Sequence, residues 1–306
     1  MDKLIVSSSP HIRGGDSTRT IMRDVLIALA PCVIAGTVFF GFRALLLVAV
    51  TGASAVLAEY ISRIVMKREQ TAQDFSALVT GVILGLILPV NCPLPIAVFG
   101  SVAAIVVVKQ MFGGIGQNFA NPACTARIIL LVSFSGVSQF SKTLYMADAA
   151  TFATPLAAED GVYGVWDLFL GNVPGCVGET CAIAILLGFA YLLVRRVITP
   201  TVTLAFIGSA AVMSLVCGQD VLYQLLSGGL LFGAVYMATD YATSPVTFVG
   251  KLIFGAGCGI FTILIRSYAS LPEGVSYAIL LMNIIAPRLD DIYYSRPLGA
   301  AKGAAK

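Results

Sequence analysis

The chain has 306 residues, of which 58% are hydrophobic and 11% charged, and its mean hydropathy is +0.91. Soluble domains carry roughly 25% charged residues, so this composition excludes a soluble globular protein and implies a polytopic membrane protein. A net charge of +3, with no basic run interleaved with aromatics, excludes nucleic acid as a partner.

The first twenty residues include Asp2, Lys3, His11, Arg13 and Asp16 and are too polar for a secretory apolar region. Residues 1–20 are expected to form a cytoplasmic tail. Beyond them, a ruler of about 20 apolar residues per crossing marks Ile21 to Phe40, Leu45 to Ile64, Phe75 to Leu88, Ile96 to Met111 and Pro122 to Phe134. It then marks Thr180 to Val194, Val202 to Val216, Leu222 to Ala238, Val249 to Ile265 and Val275 to Pro287, ten segments in all. Several are shorter than a full span and are punctuated by Gly81, Gly85, Pro89, Pro93, Pro95, Pro122 or Pro245. Non-helical backbone survives at membrane depth only where protein or a water-filled cavity satisfies it. These segments are therefore expected to be broken or half helices lining something.

The expected fold is all-α, with about ten transmembrane helices in two inverted repeats of five. Ser76 opens Ser-Ala-Leu-Val-Thr-Gly, and Ser227 opens Ser-Gly-Gly-Leu-Leu-Phe-Gly about half a chain later; each leads through a broken polar stretch to another helix. An odd number of spans per half inverts the second half in the membrane. Residues 21–134 form the first membrane repeat, 135–178 an external loop, 179–289 the second repeat and 290–306 a cytoplasmic tail. With the N-terminus inside, sixteen of the nineteen lysines and arginines fall on the inner side, Arg127 among them; only Arg43, Lys142 and Arg266 fall outside. The seven cysteines lack ligand spacing, so neither a metal site nor a disulfide framework is expected.

The external loop contains Asp148-Ala-Ala-Thr151-Phe152-Ala153-Thr154-Pro155. This pattern resembles the acceptor site of bacterial flavin transferases, which split FAD and esterify its FMN half, through the phosphate, onto the final threonine. Such an acceptor needs an accessible hydroxyl. Phe152 departs from the usual pattern, which has glycine before the alanine and bends more freely. Taken alone, a threonine before proline is a turn or cap residue.

Further stretches are rich in glycine, amide and hydroxyl groups. Gly113 to Ala123 places Asn118 and Asn121 before a half helix, with Asn121-Pro122 suited to capping it. Gly171 to Thr180 closes the loop with Gly175, Gly178, Glu179 and Thr180, where glycines allow close approach of a cofactor and Glu179 suits a helix N-terminus. Met237 to Pro245 sets Thr239, Asp240, Thr243 and Ser244 beside a helix break, and Ser9-Pro10-His11 marks the tail. Each stretch by itself is explained as a cap, turn or loop.

Together, in order and over Ser9 to Arg288, they resemble the D subunits of the Rnf ion-translocating oxidoreductases, which are related to the B subunits of the sodium-translocating NADH:quinone reductases. The latter carry a longer N-terminal extension than the roughly twenty residues here, which favours the Rnf branch. The resemblance implies a bacterial inner-membrane protein with a fold similar to urea transporters. It implies covalent FMN on Thr154, with Asp148, Thr151 and Ala153 presenting the loop to a flavin transferase, and a non-covalent riboflavin among the helices. It also implies an electron relay between ferredoxin and NAD coupled to Na+ or H+ movement. No NAD fingerprint or iron-sulfur cysteine set is present, so those sites are expected on partner subunits.

Asn118, Asn121, Gly175, Gly178, Glu179, Thr180, Thr239, Asp240, Thr243 and Ser244 are the candidate flavin or ion contacts. No catalytic residue is assigned. Ionisable groups near a membrane are costly, which adds Glu59 to Glu179 and Asp240 as ion-path candidates; Asp240 would otherwise be a capping carboxylate paired with a base such as Lys251. The competing function is a solute channel or transporter of the same fold without a redox role, and a third is a membrane anchor for redox partners.

Overall fold

A computed structural model describes residues 17–134, 137, 140, 143–144, 154–156, 163–269 and 273–293. The described residues are helical, without a strand, and a single Pro89–Cys176 bridge is the only β contact among them. In chain order the helices are α1 (Thr18–Phe40), α2 (Phe42–Val65), α3 (Ser76–Leu86), α4 (Leu94–Gln110), α5 (Pro122–Ser133) and α6 (Val165–Leu170). After these come α7 (Ala182–Val194), α8 (Pro200–Val216), α9 (Val221–Leu226), α10 (Leu230–Phe232, continued by a π turn, Gly233–Met237), α11 (Phe248–Tyr268) and α12 (Gly274–Tyr293).

Among the described residues α1, α2 and α11 are long and apolar enough to cross a membrane, and five further apolar helices are shorter. The outer surface is apolar: Val65, Val132, Val194, Val216, Val246 and Phe248 are all exposed. A surface of that kind belongs in lipid. The protein is an integral, multi-pass membrane protein.

Without a hydrophobic drive between helices in lipid, close packing of small residues holds them together. The same device appears in each half. Gly81 and Gly85 of α3 lie directly on Thr51 of α2, and a Cβ at Gly81 would fall 2.5 Å from the Thr51 carbonyl oxygen. Gly255 and Gly259 of α11 lie on α8, where a Cβ at Gly255 would fall 2.6 Å from the Val202 carbonyl oxygen. One continuous buried cluster runs from Ala28 to Leu289.

The breaks between helices are closed by other parts of the chain. Beyond α3, the Leu86 and Leu88 carbonyls accept from Gly178 N (2.8 Å) and Val177 N (3.2 Å), and Arg43 Nε donates to the Val90 carbonyl at 2.9 Å. The stretch 176–178 is thereby fastened to the end of a half helix. Beyond α10, the Met237 carbonyl accepts from Asn121 Nδ2 at 3.1 Å.

Several expected boundaries change. The segment Leu222 to Ala238 is not one helix. It stops at Leu226, where Arg266 donates to the Gln224 and Ser227 carbonyls (2.8 and 3.2 Å) and Gly228 turns with φ 62°. The stretch expected as an external loop contains α6. Helix α7 begins at Ala182, so Glu179 and Thr180 precede it. Helix α12 runs past Pro287 to Tyr293, so Asp290 lies on a helix and not in a tail.

Candidate functional site

Apart from Gly178, the described candidates divide between two separate sites, one cavity and an adjoining pair, with no lining residue in common. They lie at the two ends of α11. Thr247, which caps its start, is bonded to Asp290 in the cavity that Asp240 also lines, while Arg266, in its last turn, bonds the Ser227 carbonyl beside the other cavity. At 1.5 Å per residue, α11 separates them by about 27 Å along its axis.

The first cavity is lined by Thr154, Gly175, Cys176, Glu179, Thr180, Glu273 and the Gly228–Gly229 turn, with Phe140, Leu156, Val173, Pro174 and Leu226 as apolar walls. Thr154 is half-buried at its edge. The Thr180 hydroxyl is enclosed, with 5% of the residue exposed, and has no hydrogen-bond partner among the described residues. An orphaned buried hydroxyl costs on the order of 1–3 kcal/mol, a cost that one water or one polar group of a bound molecule in the cavity would remove. Gly175 borders the cavity directly, whereas Gly178 packs on Leu86 and serves the α3 break. The acceptor-pattern residues Asp148, Thr151 and Ala153 lie outside the described residues.

Beneath this cavity is a group of charges that sequence reasoning did not assemble. Arg127, 1% exposed, donates to both Glu273 oxygens, 2.9 Å from Nε, and its Nη2 also approaches Cys176 Sγ at 3.8 Å. The Glu179 carboxylate lies against Gly229, and Arg266 stands beside Gly228. Charge counting puts Arg127 on the inner side and Arg266 on the outer. The structure corrects this: both serve the same end of the molecule, because the Arg127 side chain reaches Glu273, between α11 and α12. A lone arginine inside an apolar half helix was the available signal.

The second site is a pair of adjoining cavities, the one around Asn283 and Asp290 being the roomier. Asn118, Asn121, Thr239 and Asp240 line the first, with Ser76, Lys109 and Tyr236; Asn118, Asp240, Thr243 and Ser244 line the second, with Asn283 and Asp290. Asn121 caps α5, its Oδ1 accepting from Ala123 N (3.0 Å) and Cys124 N (3.2 Å). The amide of Asn283, oriented to satisfy its neighbours, accepts from Asn121 N (3.0 Å) and donates to the Thr243 carbonyl (3.3 Å). Asn118 Oδ1 is buried and has no partner among the described residues.

The Asp240 carboxylate accepts from Ala242 N (3.4 Å) and from the Thr243 hydroxyl (3.2 Å), bonds within its own turn and not the alternative pairing with Lys251. Asp290, missed on sequence, accepts from Val246 N (3.0 Å), Thr247 N (3.1 Å) and the Thr247 hydroxyl (3.0 Å) and so fastens the start of α11 to α12. Glu59 is fully buried and saturated. It accepts from Lys109 Nζ at 3.1 Å, Gln110 Nε2 at 2.8 Å and the Thr71 hydroxyl at 2.9 Å, while Lys109 also donates to Ser76 Oγ at 2.6 Å. Its bonds are those of a strut joining α2, α3 and α4.

A profile of the NQR2, RnfD, RnfE family matches residues 5–299. The chain is 44% identical to the D subunit of the Na(+)-translocating ferredoxin:NAD(+) oxidoreductase complex of Acetobacterium woodii, over 98% of this chain and 96% of that protein. It is 36% identical to the D subunit of the proton-translocating ferredoxin:NAD(+) oxidoreductase complex of Clostridium ljungdahlii, over 93% of each. With the B subunit of the Na(+)-translocating NADH-quinone reductase of Chromohalobacter salexigens the identity is 38%, over 70% of this chain and 57% of that protein.

Proposed function

We propose, on the premise that the chain belongs to the NQR2, RnfD, RnfE family, that it is the membrane flavoprotein subunit of an Rnf-type electron-transport complex. In this role it relays electrons between ferredoxin and NAD partners and is coupled to Na+ or H+ translocation. FMN is carried as a phosphoester on Thr154. The observation that carries the proposal is Thr154 at the edge of a cavity whose wall holds the unpartnered Thr180 hydroxyl.

Bound there, FMN supplies a carrier that accepts and passes one or two electrons. The residues of the chain do the rest. Thr154 provides the ester oxygen, and Thr180 offers a hydrogen bond inside the cavity. Val173, Pro174 and Leu226 exclude water, and Gly175, Gly228 and Gly229 admit close approach. The Arg127–Glu273 pair holds the floor, the guanidinium giving the carboxylate a fixed position.

For the fold, the paired glycine contacts of α3 on α2 and α11 on α8 support two inverted repeats of five helices, ten spans in all, in a urea-transporter-like arrangement. The termini are cytoplasmic and the Thr154 loop faces outward in the bacterial inner membrane, within reach of a flavin transferase. The Asn118–Asp240 cavities suit a second, non-covalent flavin such as riboflavin, to which the orphan Asn118 Oδ1 would be exposed, or the ion path through Asp240. NAD and ferredoxin sites belong to partner subunits.

The test is in-gel flavin fluorescence of the denatured chain, expressed with a flavin transferase, beside Thr154→Ala. A fluorescent native band that vanishes in the mutant is expected. A dark native band despite an active transferase would refute the covalent flavin and move the solute-channel reading, which needs only the cavities and half helices, to the front.

A further inference from the structure

The acceptor threonine is not the only part of its segment to touch the protein. The Tyr223 hydroxyl donates to the carbonyl of Pro155, the next residue, at 2.7 Å, a buried bond across 68 residues of sequence. One residue further on, Leu156 lies over Gly228. A Cβ there would fall 2.7 Å from Leu156 Cδ1, and the backbone at φ 62° disfavours any side chain. Both contacts come from α9 and the turn that ends it.

That piece of chain is itself held at both ends. Asp220 caps α9 by accepting from Leu222 N (2.9 Å) and Tyr223 N (3.3 Å), and Arg266 grips the other end through the Gln224 and Ser227 carbonyls. The Tyr223 ring is 9% exposed and packs with Tyr163, Leu168 and Val173, the last of which is also a cavity wall. A tyrosine with a fixed ring and a bonded hydroxyl defines the position of the carbonyl it meets.

We propose that Tyr223 and Gly228 form a seat for the segment Thr154–Leu156, and that Tyr223 is a positioning residue setting the register of Thr154 at the cavity edge. It acts through the Pro155 carbonyl and touches no cofactor. The chemical consequence for FMN rests on the reading of Thr154 given above; the seat itself does not.

The experiment uses the full chain in detergent, with Thr154→Cys as a flavin-free reporter, and measures the rate of labelling by a water-soluble maleimide against the parent chain. Adding Tyr223→Phe removes one hydroxyl and keeps the ring. Losing a buried neutral hydrogen bond predicts labelling at position 154 faster by roughly three- to tenfold, and Leu156→Ala is expected to act in the same direction. A change below about twofold in both variants overturns the proposal. So does a rise that extends to the buried Cys124 and Cys258, since that reports unfolding in place of a local seat. In the flavin-loaded chain, compared at equal covalent flavin content, Tyr223→Phe is expected to raise iodide quenching of the flavin fluorescence. If the native chain carries no flavin, the reading of Thr154 fails, while the labelling rates of the Thr154→Cys reporter still decide the seat.

Discussion

The Arg127–Glu273 pair permits a quantitative test of what holds the first cavity. In Glu273→Gln, the Arg127 guanidinium stays 1% exposed but loses the charge that both of its bonded nitrogens face. Its Nη1 already has no partner among the described residues, and the Cys176 sulfur at 3.8 Å is a weak acceptor. Removing one member of a buried pair costs about 3–5 kcal/mol, because the survivor is left uncompensated. At about 2–4 °C of midpoint per kcal/mol for a chain of this general size, the melting temperature in detergent should fall by on the order of 6–20 °C. The double variant Arg127→Met with Glu273→Met removes both charges and should recover most of that loss, the pattern of a strongly coupled pair in a double-mutant cycle. Differential scanning fluorimetry of Glu273→Gln, and of the parent, Arg127→Met, Glu273→Met and the double variant as a closed cycle, measures it. Single variants that melt within about 2 °C of the parent, or losses that add in the double variant, would refute the claim that the guanidinium is dry and depends on Glu273.

Three further outcomes follow from the same geometry. Asp290→Ala removes the carboxylate that fastens the start of α11 to α12 and should cost about 1–2 kcal/mol, seen as faster hydrogen exchange at Val246 and Thr247. Asp240→Asn keeps the turn's shape and should impair ion translocation in vesicles more than flavin loading; equal loss of both would indicate misfolding. Thr180→Val removes an unpartnered hydroxyl at nearly constant volume. It should leave the melting point of the flavin-free Thr154→Ala chain unchanged or raised while shifting the flavin midpoint potential in the loaded chain, and an unchanged potential would show that the hydroxyl does not meet the flavin.

Much of the helical layout is readable because apolar runs and their Gly and Pro punctuation are local signals. Asn121-Pro122 reads as a cap and is one, and the half helix that follows begins where the proline allows. The break at Ser227–Gly229 escapes notice because it lies inside an apolar run, and what stops the helix is Arg266, about forty residues away. The π turns in α4 and α10 leave no trace in composition, since they alter backbone register and not side-chain polarity. Arg127 falls to the nearer side of the membrane because charge counting uses position along a span, whereas its partner Glu273 is 146 residues away. Tyr223 carries no signal, as an aromatic in a short helix looks like core until the carbonyl it meets is known. Motif residues at Thr154, Asn118 and Asp240 point to places on the chain. That they fall into two cavities is a property of the packing alone.

The half helices bring those two cavities closer than the membrane thickness suggests. Along α11 the separation is nearly a full hydrocarbon core, about 30 Å. Along α10 it is much less. Gly229, at the start of that element, touches Glu179 of the first cavity, and Met237, at its end, is bonded by Asn121 of the second. The eight residues from Leu230 to Met237 span only about 12 Å at helical rise, and every one of them is buried. Coupling between distant sites needs a packed element that both can bias. Here that element is short, is anchored at one end beside Glu179 and at the other beside Asp240, and contains the π turn. Its Met237 end is held by the Asn121 bond, and its Gly229 end lies against the Glu179 carboxylate with no room for a side chain between them.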